Sequence, residues 1–159
     1  MSSRFKTIAL IGKYKNPDIV APLLRLGQYL QRCGVQVVLD CLTASNMAED
    51  KFPAMAMEEI ALRANLAIVI GGDGTMLNIA RKLSPFGVPL VGINQGRLGF
   101  LTDLSIDTME KTLGSMLEGQ YIAERRMLLC AEVFRDDNTM FDSLALNDRT
   151  NFILQGFDP

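Results

Sequence analysis

Gly71-Gly72-Asp73-Gly74-Thr75, set between an apolar run and a helix start, holds one acid among three glycines. Glycines at such a place permit positive φ and let the backbone come close to a ligand. Unpaired amides at the start of the following helix, together with its dipole, suit a phosphate chain. The segment is not a P-loop, because the GK[ST] ending is absent. An acid among phosphate-binding amides is costly unless its carboxylate accepts a proton from a hydroxyl or helps to hold a divalent cation. A carboxylate is a weak base at neutral pH, and phosphoryl transfer tolerates that because positioning and charge neutralisation carry most of the catalysis. The plain alternative is that the glycines only shape a turn and Asp73 caps a helix starting near Met76.

The second stretch is Asn94-Gln95-Gly96-Arg97-Leu98-Gly99-Phe100-Leu101-Thr102-Asp103, again directly after an apolar run. Here Asn94, Arg97 and Phe100 are possible pocket residues. Arg97 could neutralise phosphate charge, and Phe100 could offer an apolar face to a base; taken singly, both residue types are more often structural. The third is Asn147-Asp148. An amide beside a carboxylate can read a ribose diol and a base edge, although Asn-Asp alone is an ordinary turn signal.

What the chain lacks narrows the chemistry further. It has no histidine among 159 residues, which removes the usual general base, the Ser-His-Asp triad and histidine metal sites. Cys33, Cys41 and Cys130 are odd in number and without C-x-x-C spacing, so neither a disulfide framework nor a cysteine zinc site is expected. Their apolar surroundings predict small buried hydrophobes. A net charge of −2 provides no basic field for nucleic acid or an anionic membrane. No apolar run approaches the roughly 20 residues of a membrane helix, and the N-terminus does not read as a signal peptide. The expectation is a soluble cytoplasmic protein.

Elements that must position these residues follow from periodicity. Thr7–Ile11, Val35–Leu39, Leu66–Ile70 and Pro89–Ile93 are short apolar runs without polar alternation, as in parallel strands buried on both faces. A helix opens at Asn16-Pro17, with Ile19, Leu23, Leu26 and Leu30 on one face and Gly34 at its end. Further helices are predicted over about Met55–Asn65 and Met76–Leu83, with a loop over Cys41–Pro53. Ser105 would cap another, with Ile106, Met109, Leu113 and Met116 on its buried stripe and Gly119 at its end. The alternation of strand and helix predicts an α/β domain, a doubly wound, mostly parallel sheet with right-handed crossovers, over residues 1–118. Arg126–Arg135, a polar turn at 136–138 and Thr139–Leu146 read as a hairpin. Residues 119–159 are then expected to be the opening of a truncated, antiparallel, β-rich domain, with neither strand nor helix over 151–159.

Taken together, GGDGT after the third strand, G-x-L-G-F-L-T-D after the fourth and an N-[ED] pair after the hairpin resemble bacterial NAD kinases, from about Thr7 to Asp148. GGDGT alone is shared with diacylglycerol kinases and related sugar-phosphate kinases, so a lipid or sugar kinase is the alternative; GRLGFLTD and Asn147-Asp148 narrow the resemblance. It implies transfer from ATP, supported by Mg²⁺ or another divalent metal ion, to the adenosine-side ribose 2′-hydroxyl of NAD, giving NADP. It implies Asp73 as the catalytic group taking that hydroxyl's proton. It places Gly71, Gly72, Gly74 and Thr75 at the phosphates, and Asp73, Gly74, Asn147 and Asp148 at NAD. It also implies a homo-oligomer in the full-length family. Because that family continues through a long β-rich domain, a non-catalytic nucleotide-binding fragment is a further expectation for 159 residues.

Overall fold

A computed structural model describes residues 5–13, 15–47, 51–96, 99–102, 104–135 and 138–156, with side chains described through 130 and at 143 and 144. The strands are β1 (Thr7–Gly12), β2 (Gln36–Asp40), β3 (Ala54–Met55), β4 (Leu66–Ile70), β5 (Leu90–Asn94), β6 (Leu104–Ser105), β7 (Tyr121–Arg135) and β8 (Asn138–Gly156). The helices are α1 (Val20–Arg32), α2 (Cys41–Ala44), α3 (Met57–Arg63), α4 (Asp73–Leu83) and α5 (Met109–Leu117). One sheet runs in the order β3-β2-β1-β4-β5-β8-β7, with β6 also paired to β5. Every described pairing is parallel except β7 with β8, as the apolar runs predict.

The doubly wound architecture shows in two cores, one on each face of the sheet. Along β4, Leu66, Ile68 and Ile70 pack on one side with Leu23, Leu26 and Leu30 of α1 and Met109, Leu113 and Met116 of α5. Ala67 and Val69 point the other way, toward Ile60 of α3 and Met76, Ile79 and Leu83 of α4. Alternate side chains of a strand face opposite ways, so a strand covered on both faces must be apolar throughout. The order β2-β1-β4 also means that the chain leaves β1 to one side and returns on the other. The carboxyl ends of β1 and β4 therefore flank a switch point, where open α/β sheets bind ligands.

Several helix ends match the sequence. Asn16 accepts a hydrogen bond from Asp18 N through its side chain and opens a 3-10 turn, Pro17–Ile19, that leads into α1. Gly34 and Gly119 adopt left-handed φ values of 79° and 95°, the conformation that glycine adopts without steric cost.

Four local expectations are corrected. The predicted loop after β2 begins with α2, because Asp40 caps it by accepting from Thr43 N. Thr108, not Ser105, is the N-cap residue of α5; Ser105 Oγ accepts from Thr108 N one turn earlier. Residues 149–156 are strand, because β8 pairs back along 121–126 (Tyr121↔Gly156, Glu124↔Ile153, Arg126↔Thr150) and its Ile153 lies beside Leu90 of β5. Register irregularities between Glu124 and Arg126 and between Arg126 and Leu128 break the period of two by which a strand is recognised. Finally, Cys33, Cys41 and Cys130 are all exposed: the first follows α1's last turn, the second opens α2, and the third lies on the hairpin. The expected division near residue 118 falls between α5 and β7.

Candidate functional site

The turn after β4 is tighter than its glycines suggest. Gly72 is the N-cap residue of α4, in extended conformation (φ −105°, ψ −176°), and Asp73 is already helical. The helix thus begins three residues before Met76, and Met76 N donates to Gly72 O at 3.1 Å. The main-chain N–H groups of Asp73, Gly74 and Thr75 precede the first intrahelical bond, and no side chain caps them. None of the turn's glycines has positive φ. A β-carbon on Gly72 or Gly74 would meet nothing within 4 Å, whereas one on Gly71 would lie 2.9 Å from Thr75 Cβ and Oγ1. Gly71 is therefore required by packing, and Gly72 and Gly74 leave open space.

That space belongs to a cavity of about 440 Å³. It lies at the carboxyl ends of β1, β2 and β4, and Thr75, Asn78, Ile79 and Lys82 line it from α4. Their spacing of three, four and seven residues puts them on one helix face, roughly 10 Å long at 1.5 Å per residue. Lys13 and Asp40 line it from the ends of β1 and β2. Asp40 is only 5% exposed. Its Oδ2 lies 3.3 Å from Thr43 N and 3.4 Å from Thr43 Oγ1, and Thr43 Oγ1 in turn accepts from Gly12 N at 2.9 Å. The cavity thus joins a helix N-terminus, two lysines and one fixed carboxylate. Lys13, Asp40, Asn78 and Lys82 were missed from sequence. Their signal was position: first or last residues at strand ends, and i+3 and i+7 from Thr75.

Asp73 takes no part in that cavity lining. Its carboxylate accepts from Phe100 N through Oδ2 and from Leu101 N through Oδ1, both at 3.0 Å, with Thr102 Oγ1 3.4 Å from Oδ1. It is therefore not the side-chain cap of α4. The segment after β5 can come this close for two reasons. A β-carbon on Gly92 would lie 2.8 Å from Leu101 O, and one on Gly99 would fall inside contact distance of both Asp73 carboxylate oxygens.

The sequence-selected residues separate accordingly. Asn94 is a structural member of the second segment: its Nδ2 donates to Thr102 Oγ1 at 2.9 Å and its Oδ1 accepts from Gly96 N at 2.9 Å. Gln95 Oε1 accepts from Asn16 Nδ2 at 2.8 Å, tying together the segments after β1 and β5. Phe100 is 86% exposed beside the Asp73 carboxylate, open to stacking by a planar ligand. Arg97 lies outside the described residues. The backbone of Asn147 and Asp148 runs in β8 between the pairs Leu128↔Leu146 and Arg126↔Thr150, and their side chains lie outside the described residues. Arg81 Nη2, 3.4 Å from Ser143 Oγ, brings β8 to α4.

Comparison with known proteins agrees with the motifs. The family model described as ATP-NAD kinase N-terminal domain matches residues 8–121. An NAD kinase of Nitrosospira multiformis is 70% identical over 148 residues, 93% of this chain and 50% of that protein. One of Nitrosomonas europaea is 62% identical over 147 residues, 92% of this chain and 50% of its own length. Among solved structures, yeast NADH kinase complexed with NADH superposes with a TM-score of 0.72 at 19% identity, over 88% of this chain and 46% of that one. An Archaeoglobus fulgidus NAD kinase in complex with ATP gives 0.54 at 25% identity, over 84% of this chain and 45% of that one. The chain spans about half the length of these proteins. It belongs to the ATP-NAD kinase family, whose N-terminal domain it carries.

Proposed function

We propose that this chain supplies the phosphate cradle and the general base for transfer of a phosphoryl group from ATP to the adenosine-side ribose 2′-hydroxyl of NAD. The observation that carries the reading is that the turn after β4 faces two ways. Gly72, Gly74 and Thr75 line the cationic cavity, while the Asp73 carboxylate faces the segment after β5. A donor on one side and an acceptor on the other meet at one helix N-terminus. The triphosphate lies along the uncapped amides of α4, where the dipole favours anions, with Lys13 and Lys82 offsetting its charge. The acceptor hydroxyl lies at Asp73. As its oxygen forms a bond to the γ-phosphorus, its proton passes to the Asp73 carboxylate, the bond to the bridging oxygen breaks, and ADP leaves. Phe100 stacks on a ring of the dinucleotide, and Asn147 and Asp148 hold its ribose and base edge.

A divalent ion would supply charge neutralisation to the transferring phosphoryl group. Among the described residues no three His, Cys, Asp or Glu side chains converge to hold a metal. A metal that depends on few protein ligands, such as Mg²⁺, would be compatible with this lining, and Asp40, the carboxylate lining the cavity, would be the residue to help hold it. Identities of 43–70% to NAD kinases across nearly the whole chain favour a dinucleotide acceptor over the lipid or sugar of other GGDGT kinases. Homo-oligomeric assembly and a cytoplasmic location belong to the same proposal by resemblance; among the described residues no helix is long and apolar enough to cross a membrane.

The test is acceptor choice. Full-length protein incubated with γ-labelled ATP is offered NAD, NADH, diacylglycerol and sugar phosphates separately. The label should appear as NADP, and labelling of a lipid or sugar with none on NAD would sink the reading.

A further inference from the structure

Both Asp73 oxygens are engaged before any substrate arrives, and unequally. Oδ1 is approached by Leu101 N and Thr102 Oγ1, Oδ2 by Phe100 N alone. A carboxylate oxygen accepts through about two lone-pair sites, so Oδ1 is filled and Oδ2 keeps one acceptor site. Thr102 is fully buried, and its hydroxyl is aimed. Asn94 Nδ2 donates to Oγ1 at 2.9 Å, which leaves the hydroxyl hydrogen to point elsewhere, and Asp73 Oδ1 is the acceptor in reach. Asn94 is fixed in turn, because its Oδ1 accepts from Gly96 N. Gly99 admits the carboxylate, since any β-carbon there would collide with it.

We propose that Gly99–Thr102 is a clasp that positions the Asp73 carboxylate, with Thr102 and Gly99 as positioning residues, so that Oδ2 takes the acceptor hydroxyl's proton. This rests on the reading of Asp73 as general base. The clasp holds the group at the angle transfer requires without touching the donor. Its loss therefore reduces turnover and leaves ATP binding alone, since misplacement of a catalytic group by about 1 Å is enough to slow the reaction.

The experiment compares Asp73→Asn, Thr102→Val, Thr102→Ser and Gly99→Ala in the full-length protein, measuring kcat, KM for ATP and thermal melting. Thr102→Val keeps the side chain's shape and removes the hydroxyl. We expect kcat about 10-fold lower, within the range for mispositioned groups, with KM for ATP changed under about twofold. Thr102→Ser should restore kcat to within about threefold, a rescue that a purely packing role for the methyl group would not give. Gly99→Ala should lower kcat at least as far as Thr102→Val, again at constant KM for ATP, and it remains informative if Thr102→Val does not fold. Loss of activity in Asp73→Asn with kcat unchanged in both Thr102→Val and Gly99→Ala overturns the clasp alone. Full activity of Asp73→Asn overturns the general base, and the clasp with it.

Discussion

Asp73 receives two main-chain N–H groups at 3.0 Å, and hydrogen bonds to a charged group contribute about 1.5–3 kcal/mol each. A carboxylate held this way is fixed in orientation by the segment after β5. The glycines beside it act by absence. Because a β-carbon on Gly72 would touch no protein atom and its φ suits any residue, Gly72→Val should fold normally and still intrude on the phosphates. Losing one amide-to-phosphate bond of about 1.5–3 kcal/mol weakens ATP roughly 10- to 100-fold. Isothermal titration with ATP checks this, and an unchanged affinity in a normally melting protein would remove the phosphate cradle from the account. The sequence singled out this residue because an acid between glycines at a strand's end has few plain structural uses, and the structure excludes one of them, the side-chain cap of α4. The reason for the glycines was not legible. Sequence suggested positive φ, and the structure shows close packing of Gly71 against Thr75 one helical turn on and open space at Gly72 and Gly74, a distinction set by the backbone path of the turn.

Elements carried the strongest signals where burial was complete. β4 begins and ends where its five apolar residues do, and α1 buries Leu23, Leu26 and Leu30 as their spacing predicts. The misses were short or shifted. α2 has four residues, too few for a helical period to show, and it exists because Asp40 caps it. The start of α4 was read at its first apolar residue, Met76, although the helix opens at Asp73; glycine lowers helix propensity by about 1 kcal/mol, and that penalty hides a helical turn. The shift matters for function. With Asp73 inside the first turn, the unpaired amides and the carboxylate share one rigid element and face different partners. The cavity's other half comes from β1 and β2, and only the parallel order β2-β1-β4 brings Lys13 and Asp40 to the same place. Sequence predicted such an order in kind but could not name which residues it assembles.

For the whole molecule, the α/β part has a core on each side of its sheet, whereas the start of the hairpin leaves Ile122, Met127 and Leu129 about half exposed. Among the described residues β7 pairs with β8 alone, and β8 is held to the rest of the sheet at Leu90↔Ile153, so half-exposed apolar side chains at this edge add little stability. We propose a boundary near Glu118 on this ground, with residues 119–159 as the opening of a β-rich unit. Limited proteolysis of the 159-residue polypeptide with mass spectrometry should give a resistant fragment ending near Glu118. The same polypeptide should show very low NADP formation, because Asn147 and Asp148 lie in the less protected part. Resistance through residue 156 together with robust turnover by a monodisperse sample would refute the boundary.

In the proposed function one helix start holds the donor on one side and activates the acceptor on the other through Asp73. Asp73→Asn in the full-length protein isolates that role, because the amide keeps the side chain's size and removes its capacity as a base. Turnover in a coupled NADP assay should fall by about 10²-fold or more, the scale of a positioned acid or base, with dissociation constants for ATP and NAD within a few-fold of the parent's. Turnover within a few-fold of the parent's would contradict that role and require another base.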